Sequence, residues 1–428
     1  MTASSVTSSD LTAQADPPPI RSLAQVRRFA VGRSLSVLGW QLVSVAVGWQ
    51  LYERTGDPWS LGLVGLVELA PVIALLIPAG VVVDRFPRRN IAMGAGLLFL
   101  LAALGLVAVG RPGVPLGFIY AMLLLVGTAR AFQSPAMASF LPELAPPEHL
   151  AQVNAWIAAG FEIAAIGGPA LAGLLIAGTG GASAAFLVAA VSALGFVLLM
   201  STLPARRPAG SDAPHSAREI FAGFGFIRRT PVFLAAITLD LLAVLLGGAV
   251  ALLPIYAKDI LQVGPAGLGW LRTAPALGAL ITSLVVTRLP PWKRPGRVLL
   301  AVVAGFGLAT IGFGVSRNFQ FSLFCLFLVG SFDAVSVVIR MTLEQLLTPD
   351  ALRGRVSAIH FLFIGFSNEL GAFESGAVAA WLGPVWAVAG GGIGTLLIVG
   401  LVLLWWPQLG QLVPLHRLTS SDQPSVPT

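Results

Sequence analysis

Charge is what this chain has least of. Of its 428 residues only 11% are Asp, Glu, Lys or Arg, against roughly 25% in ordinary soluble domains. With 48 glycines added to the 56% hydrophobic fraction, the apolar share rises to about two-thirds, well above the roughly 45–50% of soluble chains. A surface facing water cannot be built from this composition, so a soluble enzyme, a disordered protein and a coiled coil are excluded. A single cysteine, Cys325, excludes a disulfide framework and a cysteine metal cluster. The four histidines (149, 215, 360 and 416) are scattered, without the paired spacing of metal ligands. No glycine-rich phosphate loop, His-Glu-x-x-His box or Gly-x-Ser-x-Gly elbow occurs. The sequence therefore offers no catalytic constellation, and no metal or cofactor is expected.

What is present is a succession of long apolar runs. A membrane-crossing helix needs about 20 mostly apolar residues, and twelve runs qualify: 29–52, 60–83, 90–110, 115–139, 152–177, 182–203, 232–256, 266–288, 298–316, 319–343, 355–380 and 384–406. The longest break separates the sixth from the seventh. It carries Pro204, Arg206, Arg207, Pro208, Gly210, Pro214 and His215, then a short amphipathic piece from Arg218 to Arg229. The expected organisation is a disordered tail over 1–28, a six-helix half over 29–203 and a linker over 204–231. A second six-helix half over 232–407 and a tail over 408–428 complete it. Residues 1–20 are rich in Ser, Thr, Ala and Pro without an apolar core, so they do not read as a cleavable signal peptide.

The formal charge of +7 is not the signature of a nucleic-acid partner, because the basic residues sit in short loops between apolar runs. With the N-terminus placed in the cytoplasm, 18 Lys and Arg fall on the cytoplasmic side and 4 on the other. Four more arginines lie within spans. This asymmetry places both termini inside. The halves also echo one another. Pro147-Glu148-His149-Leu150 followed by Val153-Asn154-Ala155 matches Pro349-Asp350-Ala351-Leu352 followed by Val356-Ser357-Ala358, at an offset of 202 and then 203 residues. Parallel six-helix repeats of this kind are a pattern of secondary transporters.

After the second span the chain reads Gly80-Val-Val-Val-Asp84-Arg85-Phe-Pro-Arg88-Arg89. This resembles the signature loop of the major facilitator superfamily. Gly80 would permit close helix contact, Asp84 would meet a helix N-terminus or an arginine, and Arg85, Arg88 and Arg89 would anchor the loop inside. The resemblance implies that Asp84 braces the two halves near Arg353-Gly354-Arg355. The equivalent loop from Arg288 to Arg297 lacks the aspartate. Three further stretches are similar to the subgroup containing macrolide efflux proteins and the enterobactin exporter. They are Gly32-Arg33-Ser34-Leu35-Ser36, Gly127-Thr-Ala-Arg130-Ala-Phe132-Gln-Ser-Pro135, and Pro349 through Val356. In the fifth span, Ala164-x-x-x-Gly168-Pro169-x-x-Ala172-Gly173 resembles the antiporter motif of drug exporters, with alanine replacing glycine twice. Generic tight packing is the alternative reading of those small residues.

The resemblance implies an all-α membrane protein with twelve helices in two pseudo-symmetric halves. It also implies proton-coupled export of a small amphiphile from a bacterial inner membrane, by a monomer. Facilitated uptake or lipid flipping on the same fold, and a receptor or scaffold that does not transport, are the competing readings.

Charges at membrane depth are costly and point to function. Arg33 lies early in span one, where it would snorkel or serve the conformational cycle. Arg130 is deep in span four, and its expected partner is Glu162 on span five. Glu162 is also a proton-site candidate, two turns before Gly168-Pro169. Asp240 has no local partner. Asp333 and Arg340 are seven apart, on one face of span ten. Glu369 and Glu374 in span eleven lie on partly different faces, and Glu68 precedes a bend expected at Ala70-Pro71. Arg272 completes the set. Most tryptophans sit at span ends, as an interfacial belt. Trp40 is mid-span beside Gln41 and, with Phe132 and Phe361, is a candidate lining for an amphiphile pocket.

Overall fold

The computed structural model describes residues 21–109, 113–144, 150–205, 224–349 and 352–412. The expected N-terminal tail, most of the linker and the C-terminal tail lie outside the described residues. So do parts of the two loops that carry the internal repeat.

Helices α1 (Arg21–Thr55), α2 (Pro58–Ala74 and Leu76–Arg85), α3 (Arg88–Val109), α4 (Leu116–Leu144), α5 (Leu150–Thr179) and α6 (Ser183–Ser201) form the first half. The second half comprises α7 (Pro231–Leu246, continuing irregularly to Ile260), α8 (Gly264–Val286) and α9 (Pro295–Val315). It is completed by α10 (Phe319–Leu347), α11 (Arg353–Leu382) and α12 (Pro384–Trp405). Eleven elements are long and apolar enough to cross a membrane, and the bent α2 makes twelve. No strand occurs among the described residues. The first helix starts at Arg21, inside the segment read as tail, and residues 224–229 of the linker are helical.

Turn chemistry sets the helix starts. The Asp57 side chain accepts the Trp59 N–H and Pro58 occupies the first turn of α2, while Asn318 accepts the Phe321 N–H at the start of α10. Gly383 at φ +86° turns α11 into α12 across a single residue. The bend in α2 is 51° and falls at Leu75, one turn beyond the expected Ala70-Pro71. Pro78 explains the position, because it cannot donate to the Ala74 carbonyl four residues back and its ring crowds that carbonyl. Helix α7 breaks at Gly247-Gly248, where a Cβ would collide with the Phe306 ring at 2.6 Å and with the Gly371 carbonyl oxygen at 2.6 Å. A short 3-10 turn and a π turn follow.

The helix contacts repeat with a step of six. Helix α1 packs on α5 and α6 as α7 packs on α11 and α12. Helix α2 packs on α4 as α8 packs on α10, and α3 packs on α4 and α6 as α9 packs on α10 and α12. The halves meet through α5 on α8 and through the equivalent pair, α11 on α2. Side chains pointing outward are apolar, Trp381, Trp386 and Trp405 among them, as a bilayer requires.

Both chain ends of the bundle fall on one side, here the terminal side. The opposite, distal side is where the halves touch. A Cβ on Gly173 of α5 would lie 2.9 Å from Gly269 Cα of α8, and one on Gly62 of α2 would lie 3.1 Å from Gly376 Cα of α11. Thr273 of α8 donates to the Ile166 carbonyl at 3.0 Å, and Tyr52 of α1 donates to Asp259 in the irregular end of α7. Such small-residue contacts let backbones approach where no water is squeezed out to drive association.

Candidate functional site

A cavity of about 750 Å³ lies between the halves, above that distal seal. One face of α1 supplies Arg33, Ser36, Trp40, Ser44 and Gly48, spaced three to four residues apart. The broken stretch of α7 from Gly247 to Ala251 supplies irregular backbone, which is tolerated at membrane depth where it lines a cavity. Four arginines (33, 130, 272 and 340) and four carboxylates (Glu68, Asp240, Asp333 and Glu369) line the space.

These charges fall into two groups. In the first, Arg130 of α4 reaches across to Glu369 of α11 at 2.5 Å, with Glu68 of α2 at 3.9 Å. Arg272 of α8 donates from Nη1 to Ser44 Oγ of α1 at 3.1 Å. The group thus draws α1, α2 and α4 from one half and α8 and α11 from the other. In the second, Arg340 of α10 is 2% exposed and meets Asp240 of α7 at 2.5 Å and Asp333 of its own helix at 4.0 Å. Its Nε donates to Ser336, and Nη1 lies 3.4 Å from His360 Nε2 of α11. The other nitrogen of His360 pairs with Glu344, which also accepts from Ser357. A buried polar chain therefore runs from the cavity wall toward the terminal side within the second half.

The structure corrects several expectations. The partner of Arg130 is Glu369, not Glu162. Although consecutive in sequence, α4 and α5 pack mainly on other helices, α4 on α2 and α3 and α5 on α1 and α8. Glu162 is half-buried outside the cavity lining, and no cation among the described residues is within ion-pair distance of it. Asp240 is paired after all, by Arg340. Glu374 lies off the cavity beside Ser375. Gly80 makes no close helix contact, because a Cβ there would meet nothing within 4 Å.

Trp40 does line the cavity, donating to Gln133 at 3.2 Å and packing on Phe99 with ring centroids 4.4 Å apart. Phe132 and Phe361 do not line it. Phe361 is 63% exposed on α11, on the face of the cavity-lining Asn368 and Ala372 but nearer the terminal end of the helix, and the other aromatic residues of the lining are Phe161 and Phe306.

The loop after α2 behaves as an anchor within the first half. Arg88 donates to Glu143 at 2.5 Å and to the Ser139 carbonyl at 3.1 Å, and Arg89 donates to the Leu203 carbonyl at 2.8 Å. Asp84 is half-buried and Arg85 exposed. Gly168 and Pro169 serve packing: a Cβ on Gly168 would lie 2.6 Å from Gln41 Cβ of α1, and the Pro169 carbonyl abuts Gly269.

Neither span lengths nor motifs point to Glu344 and His360: Glu344 lies one residue past 343, where the tenth apolar run ends, and a lone histidine carries no local signature of its partner.

Comparison with known proteins agrees with this architecture. The sequence model of the Major Facilitator Superfamily matches residues 29–367. The "Enterobactin exporter EntS" of Escherichia coli O1:K1 / APEC is 30% identical over 383 residues, covering 88% of this chain and 90% of the relative. The protein of the same name from Shigella boydii serotype 18 matches to the same extent. Among solved structures, the peptide transporter POT in complex with sulfate superposes with a TM-score of 0.69 at 14% identity, covering 91% of this chain and 96% of that one. A bacterial homologue of the human lysosomal transporter Spinster, in an inward-facing and unoccupied conformation, gives 0.68 at 13% identity, covering 96% and 100%.

Proposed function

The chain belongs to the Major Facilitator Superfamily and is a multi-pass membrane transporter rather than an enzyme; from that premise we propose that it is a proton-coupled exporter of a small amphiphilic compound, working by alternating access. The observation that carries the reading is the distal seal. The halves touch through Gly173–Gly269 and Gly62–Gly376 on the distal side of a cavity that they share, and the Arg130–Glu369 pair joins them across its wall. Breaking that seal while closing the terminal side would present the same cavity to the other face. Its volume of about 750 Å³ falls in the range of roughly 300–1,000 Å³ of small-molecule sites.

Proton coupling is supported by the second charge group. Two aspartates share one arginine, so formal charges leave the trio Asp240, Arg340 and Asp333 at −1. A single proton neutralises it. Asp333, with a side chain 45% exposed, is the member that a proton arriving through the cavity would reach. Export is favoured by the exporter name carried by the relatives. The 18-to-4 bias of basic residues supports a cytoplasmic terminal side in a bacterial inner membrane.

The test is efflux in a host lacking its own pumps, challenged with a panel of drugs and siderophores. Lower accumulation of a compound, restored by a protonophore, is the expected result. Accumulation that ignores the protonophore would overturn coupling and favour facilitated movement. A protein that lowers the accumulation of no compound, and whose other cellular phenotype survives Asp84→Asn, Asp333→Asn and Glu369→Gln, is a non-transporting receptor or scaffold.

A further inference from the structure

Of the four cavity arginines, two are bound by carboxylates and two are not. Arg130 and Arg340 each have a carboxylate at 2.5 Å. Arg33 and Arg272 have none within ion-pair distance among the described residues, and the Nε of each is shut off from solvent without an acceptor. Arg272 is the more telling. Its Nη1 spends one of two hydrogens on Ser44, which leaves donors at the Nη1–Nη2 end of the guanidinium for an oxygen of a carboxylate or phosphate. A buried N–H donor without a partner costs about 1–3 kcal/mol, so a chain that keeps two such donors on a cavity wall retains them against a stability cost.

Formal charge points the same way. Arg130 and Arg272 face Glu68 and Glu369, and Arg33 adds a cation toward the terminal side that faces neither carboxylate. Arg33 stands eleven residues before Ser44 on the same helix face, about 16 Å along α1, with Trp40 between them and Phe161 and Phe306 also on the wall. We infer that the transported compound is an organic anion, its acidic group held by the Arg272 guanidinium, its apolar body against Trp40, and Arg33 drawing it in from the terminal side. The inference rests on the cavity being the substrate site, and it names the substrate's charge class.

The test uses full-length protein in nanodiscs of zwitterionic lipid and the fluorescent probe dansylglycine. Its methyl ester and dansylcadaverine serve as the neutral and cationic counterparts. Energy transfer from tryptophan to dansyl reports binding, and a Trp40→Phe variant identifies the pocket. Dansylglycine is expected to bind saturably and about tenfold or more tighter than the ester, the discrimination of one charge-assisted fork. Arg272→Gln removes the preference, Arg272→Lys retains the charge but only part of the preference, and Arg229→Gln on the linker changes nothing. Arg272→Lys also covers the case in which the glutamine variant fails to fold.

Absence of saturable dansylglycine binding, equal affinity for ester or amine, or a preference that survives Arg272→Gln would each overturn the assignment. The readout is separate from coupling: anion binding that persists in a protein whose efflux ignores a protonophore sinks the proton reading and leaves this one standing.

Discussion

Arg130 and Glu369 meet at 2.5 Å across the boundary between the two halves, on helices α4 and α11. The pair is only partly screened from solvent, with side-chain exposures of 43% and 18%. Removing one member therefore costs less than the roughly 3–5 kcal/mol of a fully buried pair and more than the roughly 0–1 kcal/mol of a surface pair. Glu369→Gln is expected to weaken the distal seal by about 1–2 kcal/mol, a shift of roughly tenfold toward the distal-open state. Electron–electron distances between one spin label on the distal loop of each half measure it. Distances unchanged from wild type would show that the pair does not hold the seal.

The glycine seal predicts a different kind of shift. A Cβ at Gly173 would come within 2.5 Å of the Pro265 carbonyl oxygen and 2.9 Å of Gly269 Cα, both backbone atoms of the other half. Neither can rotate away, so Gly173→Ala should push α5 from α8 and open the distal side while each half keeps its own packing. Thermal unfolding should move little while the spin-label distances lengthen. Gly80→Ala is the control. A Cβ there meets nothing within 4 Å, and replacing a mid-helix glycine by alanine stabilises by roughly 0.5–1 kcal/mol, so its melting temperature should hold or rise.

The same glycines show what was legible in the sequence and what was not. Gly168-Pro169-x-x-Ala172-Gly173 and Gly371-Ala372-x-x-Ser375-Gly376 stand 203 residues apart, the offset of the second repeat segment. Gly168 packs on Gln41 of α1, and Gly371 packs on Val244 and Leu245 of the equivalent α7. The small residues first read as an exporter motif thus have a packing role that both halves use. Hydropathy located all twelve spans because bilayer thickness sets a length that a run of apolar residues must meet. It could not pair Arg130 with Glu369, because helix neighbours in a bundle are set by packing of faces and not by order in the chain. For the same reason Asp240 looked isolated until α7 was seen against α10. Phe361 shares the helix face of the cavity-lining Asn368 and Ala372, and spacing along a helix does not show where along that face a cavity ends.

Arg340 is expected to be the costliest single residue of the second half to remove. Its side chain is 2% exposed and faces Asp240 and Asp333, so Arg340→Ala strands Asp240 in the bundle interior and leaves Asp333 unpaired at the cavity wall. The loss should be about 3–5 kcal/mol, read as a large fall in melting temperature. Combining it with Asp240→Asn removes the stranded charge and should recover part of the loss. A double variant as unstable as Arg340→Ala alone would mean that Asp240 draws no stability from the arginine.

Asp333→Asn separates coupling from folding. It leaves the closer 2.5 Å pair of Arg340 with Asp240 in place and neutralises the surplus negative charge, so the protein should fold. In proteoliposomes it should still exchange substrate down a concentration gradient but no longer respond to an imposed pH gradient. A pH-driven rate equal to wild type would move the proton to another carboxylate, Glu369 or Glu68 being next in the cavity.

Glu344 tests whether the terminal end of the buried chain belongs to the proton path or only braces the fold. It accepts hydrogen bonds from Ser357 and pairs with His360, which in turn lies 3.4 Å from Arg340. Glu344→Gln keeps the shape and an acceptor oxygen but removes the charge, and should cost about 1–3 kcal/mol because these hydrogen bonds are charge-assisted and buried. If the chain only ties α10 to α11, stability falls while pH-driven transport per folded molecule stays at the wild-type rate. If His360 and Glu344 exchange protons with the Asp240–Asp333 pair, the pH-driven rate falls several-fold more than stability does. The group between them is a guanidinium, whose donors and lack of an acceptor suit it to bracing rather than to relaying a proton. The arrangement therefore favours the bracing outcome: a melting temperature lowered by several degrees, with the dependence on a pH gradient intact.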